Sequence, residues 1–170
     1  MPFELIDIRD IENPVKLIAD DWALLSAGDS DDWNTMTISW GGVGQLWGIA
    51  CAFVFVRPQR HTMRYIEGCD YFTLAFGLPR ETLRLCGSVS GRERDKIKEA
   101  GLTAHAEGAA VWPAEAGLAL VCRKLAAQDI DPKGFLADPA GAQRIEANYP
   151  DKDYHRMFVG EIVRVYRRAE

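Results

Sequence analysis

The chain has 170 residues, 48% hydrophobic and 26% charged, with a formal net charge of −5. That length suits one domain spanning residues 1–170 with a substantial core. The acidic balance argues against nucleic-acid binding, which needs a basic field, and the longest apolar run, "GIACAFVFV", is too short to cross a bilayer.

An anion site must therefore be built locally, by a few residues against the overall charge. "MPFELIDIRD" lacks the basic start and long apolar core of a secretion signal. Cys51, Cys69, Cys86 and Cys122 are widely spaced, with no CxxC pair and no nearby histidine set. The expectation is a cytoplasmic protein with four reduced, mostly buried thiols and no metal centre.

In chain order, "ENPVKLIADD" predicts a short helix with Asn13 as N-cap and Pro14 at its first position. "WALLSAGD" predicts a strand that ends in a turn around Gly28, Asp29 and Ser30. "WNTMTISW" follows, with Thr35, Thr37 and Ser39 on one side and Asn34, Met36, Ile38 and Trp40 on the other. The glycines of "GGVGQLWG" predict a loop between strands. They do not make a dinucleotide fingerprint, because Trp47 stands where the third glycine is needed and a β-rich segment follows.

"IACAFVFV" predicts a strand buried on both faces. "RHTMRYIEGC" reads as a helix closed by Gly68, "YFTLAF" as a strand and "PRETLRLCG" as a helix. In "SGRERDKIKEAG", Ser90 is the expected N-cap and Gly101 the C-terminal stop. Two long strands come late, in "GLALVCRKLAAQDI" and "HRMFVGEIVRVYRR". Strands with helices inserted irregularly between them point to a β-barrel or α+β domain.

Three stretches carry candidate chemistry. In "RPQRHT", the Arg57 and Arg60 forks and the Thr62 hydroxyl suit a phosphate, with Thr62 in the first turn of a helix. The alternative is that these arginines are solvated ends paired with acids such as Glu67. "CGSVSGRERDK" offers Ser88, Ser90 and Lys96 to an anion; its alternative is a capped helix with a charged face. "NTMTISW" could read a planar heteroaromatic ring from its strand end, or be an amphipathic strand with its polar face out. His155 could poise a proton or contact a substrate, or simply be exposed. No hydrolytic motif is present.

Taken together, "NTMTISWGGVGQLW", "FVRPQRHTMRYIEGCDYFTLAF", "LRLCGSVSGRERDKIKEAGL", "LVCRKLAAQDIDPKGF" and "DYHRMFVGEI" resemble the flavin reductase-like family, in its flavoredoxin-like branch. The resemblance implies a mainly β fold, the FMN-binding split barrel, a six-stranded Greek-key barrel with peripheral helices. It implies a homodimer with FMN at or near the interface. Asn34, Thr35, Met36, Thr37, Ser39 and Trp40 would line the isoalloxazine. Arg57, Arg60 and Thr62 would hold the phosphate, helped by Ser88, Ser90 and Lys96. His155 would lie where the electron donor, NADH or NADPH, approaches, as the catalytic-site residue. The implied activity is an NAD(P)H-dependent flavin reductase passing electrons through FMN to a small-molecule or protein acceptor. The alternative is a non-enzymatic FMN-binding electron carrier or flavin store.

Overall fold

Strand pairing organises the chain. In the computed structural model, which describes residues 2–169, strand β1 spans Phe3–Ile6 and helix α1 spans Pro14–Lys16, widening into a π-helical turn over Leu17–Asp21. Asn13 caps α1 as its sequence predicts, its side-chain oxygen accepting from the Lys16 N–H at 3.0 Å. β2 (Ala23–Gly28) and β3 (Trp33–Ile38) form a hairpin, followed by the hairpin of β4 (Gly41–Leu46) and β5 (Ile49–Val56). Helix α2 (Thr62–Gly68) leads into β6 (Tyr71–Phe76), then α3 (Arg80–Ser88) and α4 (Lys96–Glu99). A small hairpin, β7 (Ala104–Glu107) and β8 (Ala110–Pro113), precedes the long strands β9 (Leu118–Asp129) and β10 (Arg156–Arg168), with α5 (Pro139–Glu146) between them.

The main sheet is antiparallel throughout, in the order β3-β2-β6-β9-β10-β5-β4, with β1 added to β10. β3 and β4 are the end strands of this path. β10 pairs with β9 along nearly its whole length, with β5 through its first half and with β1 through its last residues. It therefore seams the two sides together. At Gly160 an added Cβ would stand 2.6 Å from the Phe72 ring, so only glycine lets β10 pass over that ring.

Alternation sorts the side chains into two cores. Leu25, Ala27, Met36, Val54, Val56, Phe72, Leu74, Leu120 and Phe158 fill the barrel. Their neighbours Leu24, Ala75, Ala119, Val121 and Tyr166 point outward and are covered by α3 (Leu83, Cys86), by α4 and its exit (Ile97, Leu102) and by β8 (Trp112). The fold is thus mainly β with peripheral helices.

Three local expectations are corrected. The glycines Gly41, Gly42 and Gly44 form a strand rather than a loop, because β4 pairs residue for residue with β5 and the Phe53 ring lies 4.0 Å or less from where Cβ atoms on Gly42 and Gly44 would be. β5 is not uniformly buried: Ala52, Val54 and Val56 face the core, while Phe53 and Phe55 stay half-exposed on the other face. Ser90 does not begin a helix reaching Gly101. Its carbonyl closes a turn with the Glu93 and Arg94 N–H groups, and the helix starts afresh at Lys96 with Asp95 as its cap. Gly101 does stop it, at φ +65°.

Candidate functional site

Two adjoining cavities open where β3 and β5 end. The first, about 160 Å³, is lined by Met36, Thr37, Ile38, Ser39, Trp40, Phe55, Arg57, Arg60 and His155. The second, about 470 Å³, takes in Met36, Arg57, Gln59, Arg60, His61, Thr62, Ser88, Val89, Ser90, Lys96, Asp151 and Asp153. Met36, Arg57 and Arg60 belong to both, so the two form one elongated space. One end is a strand terminus with aromatic walls. The other is a cradle of cations, hydroxyls and backbone.

At the strand end, the polar face of β3 does not point into solvent. The Thr37 hydroxyl donates to the Leu83 carbonyl of α3, which locks the helix onto the strand. Thr35 is fully buried, accepting from the Ser26 hydroxyl at 2.9 Å and donating to the Leu25 carbonyl at 3.1 Å. Its side chain is spent inside the fold and lines neither cavity. Asn34 is buried beside the cradle, and its amide donates to the Thr62 hydroxyl at 2.7 Å. Trp40 closes one side of the ring-shaped end, 5.3 Å centroid to centroid from His155.

His155 is buried, against the bland expectation of an exposed ring. Its Nδ1 lies 2.9 Å from the Tyr149 hydroxyl, and Phe55 packs edge-on at 6.4 Å. Burial, with the positive charges of Arg57 and Arg60 added, pushes its pKa down to about 4 against the pull of Asp153. At neutral pH the ring is uncharged.

In the cradle, Lys96 is only 4% exposed, and its ammonium donates to the carbonyls of Cys86 (3.3 Å) and Val89 (3.2 Å). Burial holds its pKa below the usual lysine value, and Arg60 pushes the same way. Arg60 donates to the Gly87 carbonyl at 2.9 Å. Among the described residues neither cation has a carboxylate partner. Arg57 differs: it pairs with Asp153 and donates to the Asn148 carbonyl at 2.6 Å. The alternative of an acid partner is thus realised for Arg57, though with Asp153; Glu67 pairs instead with Arg156.

Residues 16–170 match the family model described as "Flavin reductase like domain". The chain belongs to the flavin reductase-like family. Among solved structures it is similar to flavoredoxin from Methanosarcina acetivorans, at 20% identity and a TM-score of 0.64, covering 96% of this chain and 74% of that one. An FMN-binding protein from Thermus thermophilus, with bound p-hydroxybenzaldehyde, gives 17% and 0.66, covering 96% and 82%. A Shewanella frigidimarina protein described as having a split barrel domain gives 15% and 0.65, covering 97% and 76%. At these identities the likeness is one of fold, the split barrel. Among curated proteins none matches the sequence significantly.

Within the flavin reductase-like fold, the cavities bring together eleven of the thirteen residues singled out from the sequence: Met36, Thr37, Ser39, Trp40, Arg57, Arg60, Thr62, Ser88, Ser90, Lys96 and His155. Asn34 touches the site through Thr62, and Thr35 does not reach it by its side chain. Tyr149, Gln59 and Asp153 were missed. They sit in polar, turn-like sequence with no periodic signal, and only the tertiary fold brings residues 149 and 153 to Arg57.

Proposed function

We propose that the protein is an FMN-dependent oxidoreductase whose flavin phosphate sits between Arg60, Lys96, Thr62, Ser88 and Ser90, with the ring at the end of β3. The observation that carries this reading is the pair of cations that have no carboxylate partner among the described residues. An ammonium buried among neutral carbonyls is costly, and a phosphate monoester supplies the missing charge together with acceptors for the hydroxyls around it. The residues fit FMN in layout: an aromatic-walled slot at one end, a cationic cradle at the other, and Met36 between. Membership of the flavin reductase-like family supports the same ligand.

Bound FMN would supply the redox chemistry. The chain's own residues position and shield. Backbone groups of residues 36–40 are set to read a ring edge, Arg60 and Lys96 fix the anionic end, and neutral His155 offers a hydrogen-bonding edge without adding charge. Trp40 remains 42% exposed, leaving that side open for a donor such as NADH or NADPH. Trp47, 65% exposed at the tip of the β4–β5 hairpin, and the outer edge of β4 suit a second copy of the chain, consistent with a homodimer. Electrons would pass to a small-molecule or protein acceptor.

The test is a visible spectrum of the purified protein with FMN, recorded without oxygen before and after NADH or NADPH. Uptake of FMN and bleaching of its visible band by either nucleotide is expected. No uptake sinks the reading. Uptake with bleaching only by dithionite leaves an electron carrier or flavin store instead.

A further inference from the structure

Arg57 and Arg60 leave the same short stretch of sequence, yet they are engaged in different ways. Arg60 makes one bond, to a backbone carbonyl, and otherwise faces the cradle. The Arg57 guanidinium is used on three sides. It pairs with Asp153, donates to the Asn148 carbonyl, and lies over the Tyr149 ring at 5.1 Å. Gln59 donates to the same Asp153 oxygen, so Arg57 and Gln59 together hold the carboxylate. Both side chains of the ion pair are mostly shielded, at 23% and 14% exposure.

Residues 147–155 connect α5 to β10 and contain no strand or helix. Asn148 is tied back to α5 by its own amide, and among the described residues the side-chain hydrogen bonds from this connection to the exit of β5 are those of Arg57 and Gln59. Tyr149 sits in the middle. One face of it meets Arg57, and its hydroxyl meets His155, which packs on Trp40. A phosphate brought to Arg57 would have to displace Asp153.

We propose that Arg57 is a positioning residue that clamps the 148–153 connection across the site, so that Tyr149 and His155 are held at the ring end, and that the phosphate is left to Arg60 and Lys96. The first half rests on geometry alone. The second rests on the FMN reading and divides its labour between two arginines that the sequence cannot separate. An Arg is suited to the clamp because its planar fork can serve a carboxylate and a carbonyl at once while stacking on a ring; a lysine cannot do all three.

The experiment has two arms on the full chain. Limited proteolysis of the flavin-free protein reads the connection directly. Arg57→Ala and Asp153→Asn should each speed cleavage within residues 147–154 about tenfold, as expected when a local opening loses its main tie, with Arg57→Lys in between. Affinities for FMN and riboflavin read the phosphate. Arg57→Ala should weaken both by the same factor, keeping their ratio within about twofold of the unmodified chain, the usual scatter of independent sites. Arg60→Ala should collapse that ratio. Unchanged cleavage in Arg57→Ala overturns the clamp, and a ratio collapsed as far as in Arg60→Ala overturns the division of labour. A chain that takes up no flavin fails the functional reading, while the proteolysis arm still decides the clamp.

Discussion

The Tyr149 hydroxyl stands 2.9 Å from Nδ1 of His155, in a buried contact between two residues six apart in sequence. Burial holds the phenol above its usual pKa, so it stays protonated across the working pH range and can donate. Tyr149→Phe leaves Nδ1 buried and unpaired, which should cost about 1–2 kcal/mol in a urea unfolding curve. It should also slow nicotinamide oxidation several-fold while FMN affinity holds. Equal stability and equal turnover would remove Tyr149 from the site.

His155 also sets a pH dependence. Facing it are Arg57 and Arg60, which disfavour its charge, Asp153, which favours it, and the neutral Tyr149. Its folded pKa of about 4 lies below the usual 6.5, so between these values the unfolded chain binds more protons. Stability contributed by the neutral ring is therefore complete above about pH 6.5 and is lost as the pH falls towards 4, in total on the order of 3 kcal/mol. Asp153, held low by Arg57 and Gln59, adds a loss of the same sign at lower pH still. Urea midpoints measured from pH 7 to pH 4 should fall for the unmodified chain and flatten for His155→Gln. An equally steep slope in the variant would assign the effect elsewhere.

Arg60 is the phosphate arginine on this reading. Arg60→Ala removes a charge-assisted contact worth about 1.5–3 kcal/mol, so FMN should bind roughly ten- to a hundredfold more weakly while riboflavin changes little. Lys96→Met should act in the same direction. Fluorescence titration of both flavins decides it. Parallel losses for FMN and riboflavin would place the phosphate away from this end.

The barrel strands were legible because their side chains alternate or run apolar, as in "YFTLAF" and "GLALVCRKLAAQDI". β4 was not, because three of its six residues are glycines and carry no pattern to read. The β7 and β8 strands have four residues each, three of the eight alanine, and their one large core residue, Trp112, gives no period. The candidate site was legible as a set of residues but not as a set of pairings. Nothing near Arg57 in the sequence announces Asp153, 96 positions away, and the two arginines look alike until that partner is placed. The family resemblance implies Thr35 at the ring along with the rest of "NTMTISW". Strand alternation puts it on the face of Ser26, where its hydroxyl is consumed.

Gly91 shows how closely the cradle is packed from behind. An added Cβ there would stand 2.6 Å from Oδ1 of Asn34 and 2.9 Å from Cδ2 of His61. Asn34 is buried and spends its amide on the Thr62 hydroxyl, so it cannot move without releasing that residue. Gly91→Ala should therefore cost about 1–3 kcal/mol of stability through overpacking and should also weaken FMN several-fold by shifting Thr62. Gly134→Ala, where no atom lies within 4 Å of the new Cβ, serves as the comparison and should leave FMN binding as it is. Thermal unfolding and FMN titration of the two variants check both effects. If Gly91→Ala folds and binds like Gly134→Ala, the Asn34–Thr62 contact is not what shapes the cradle.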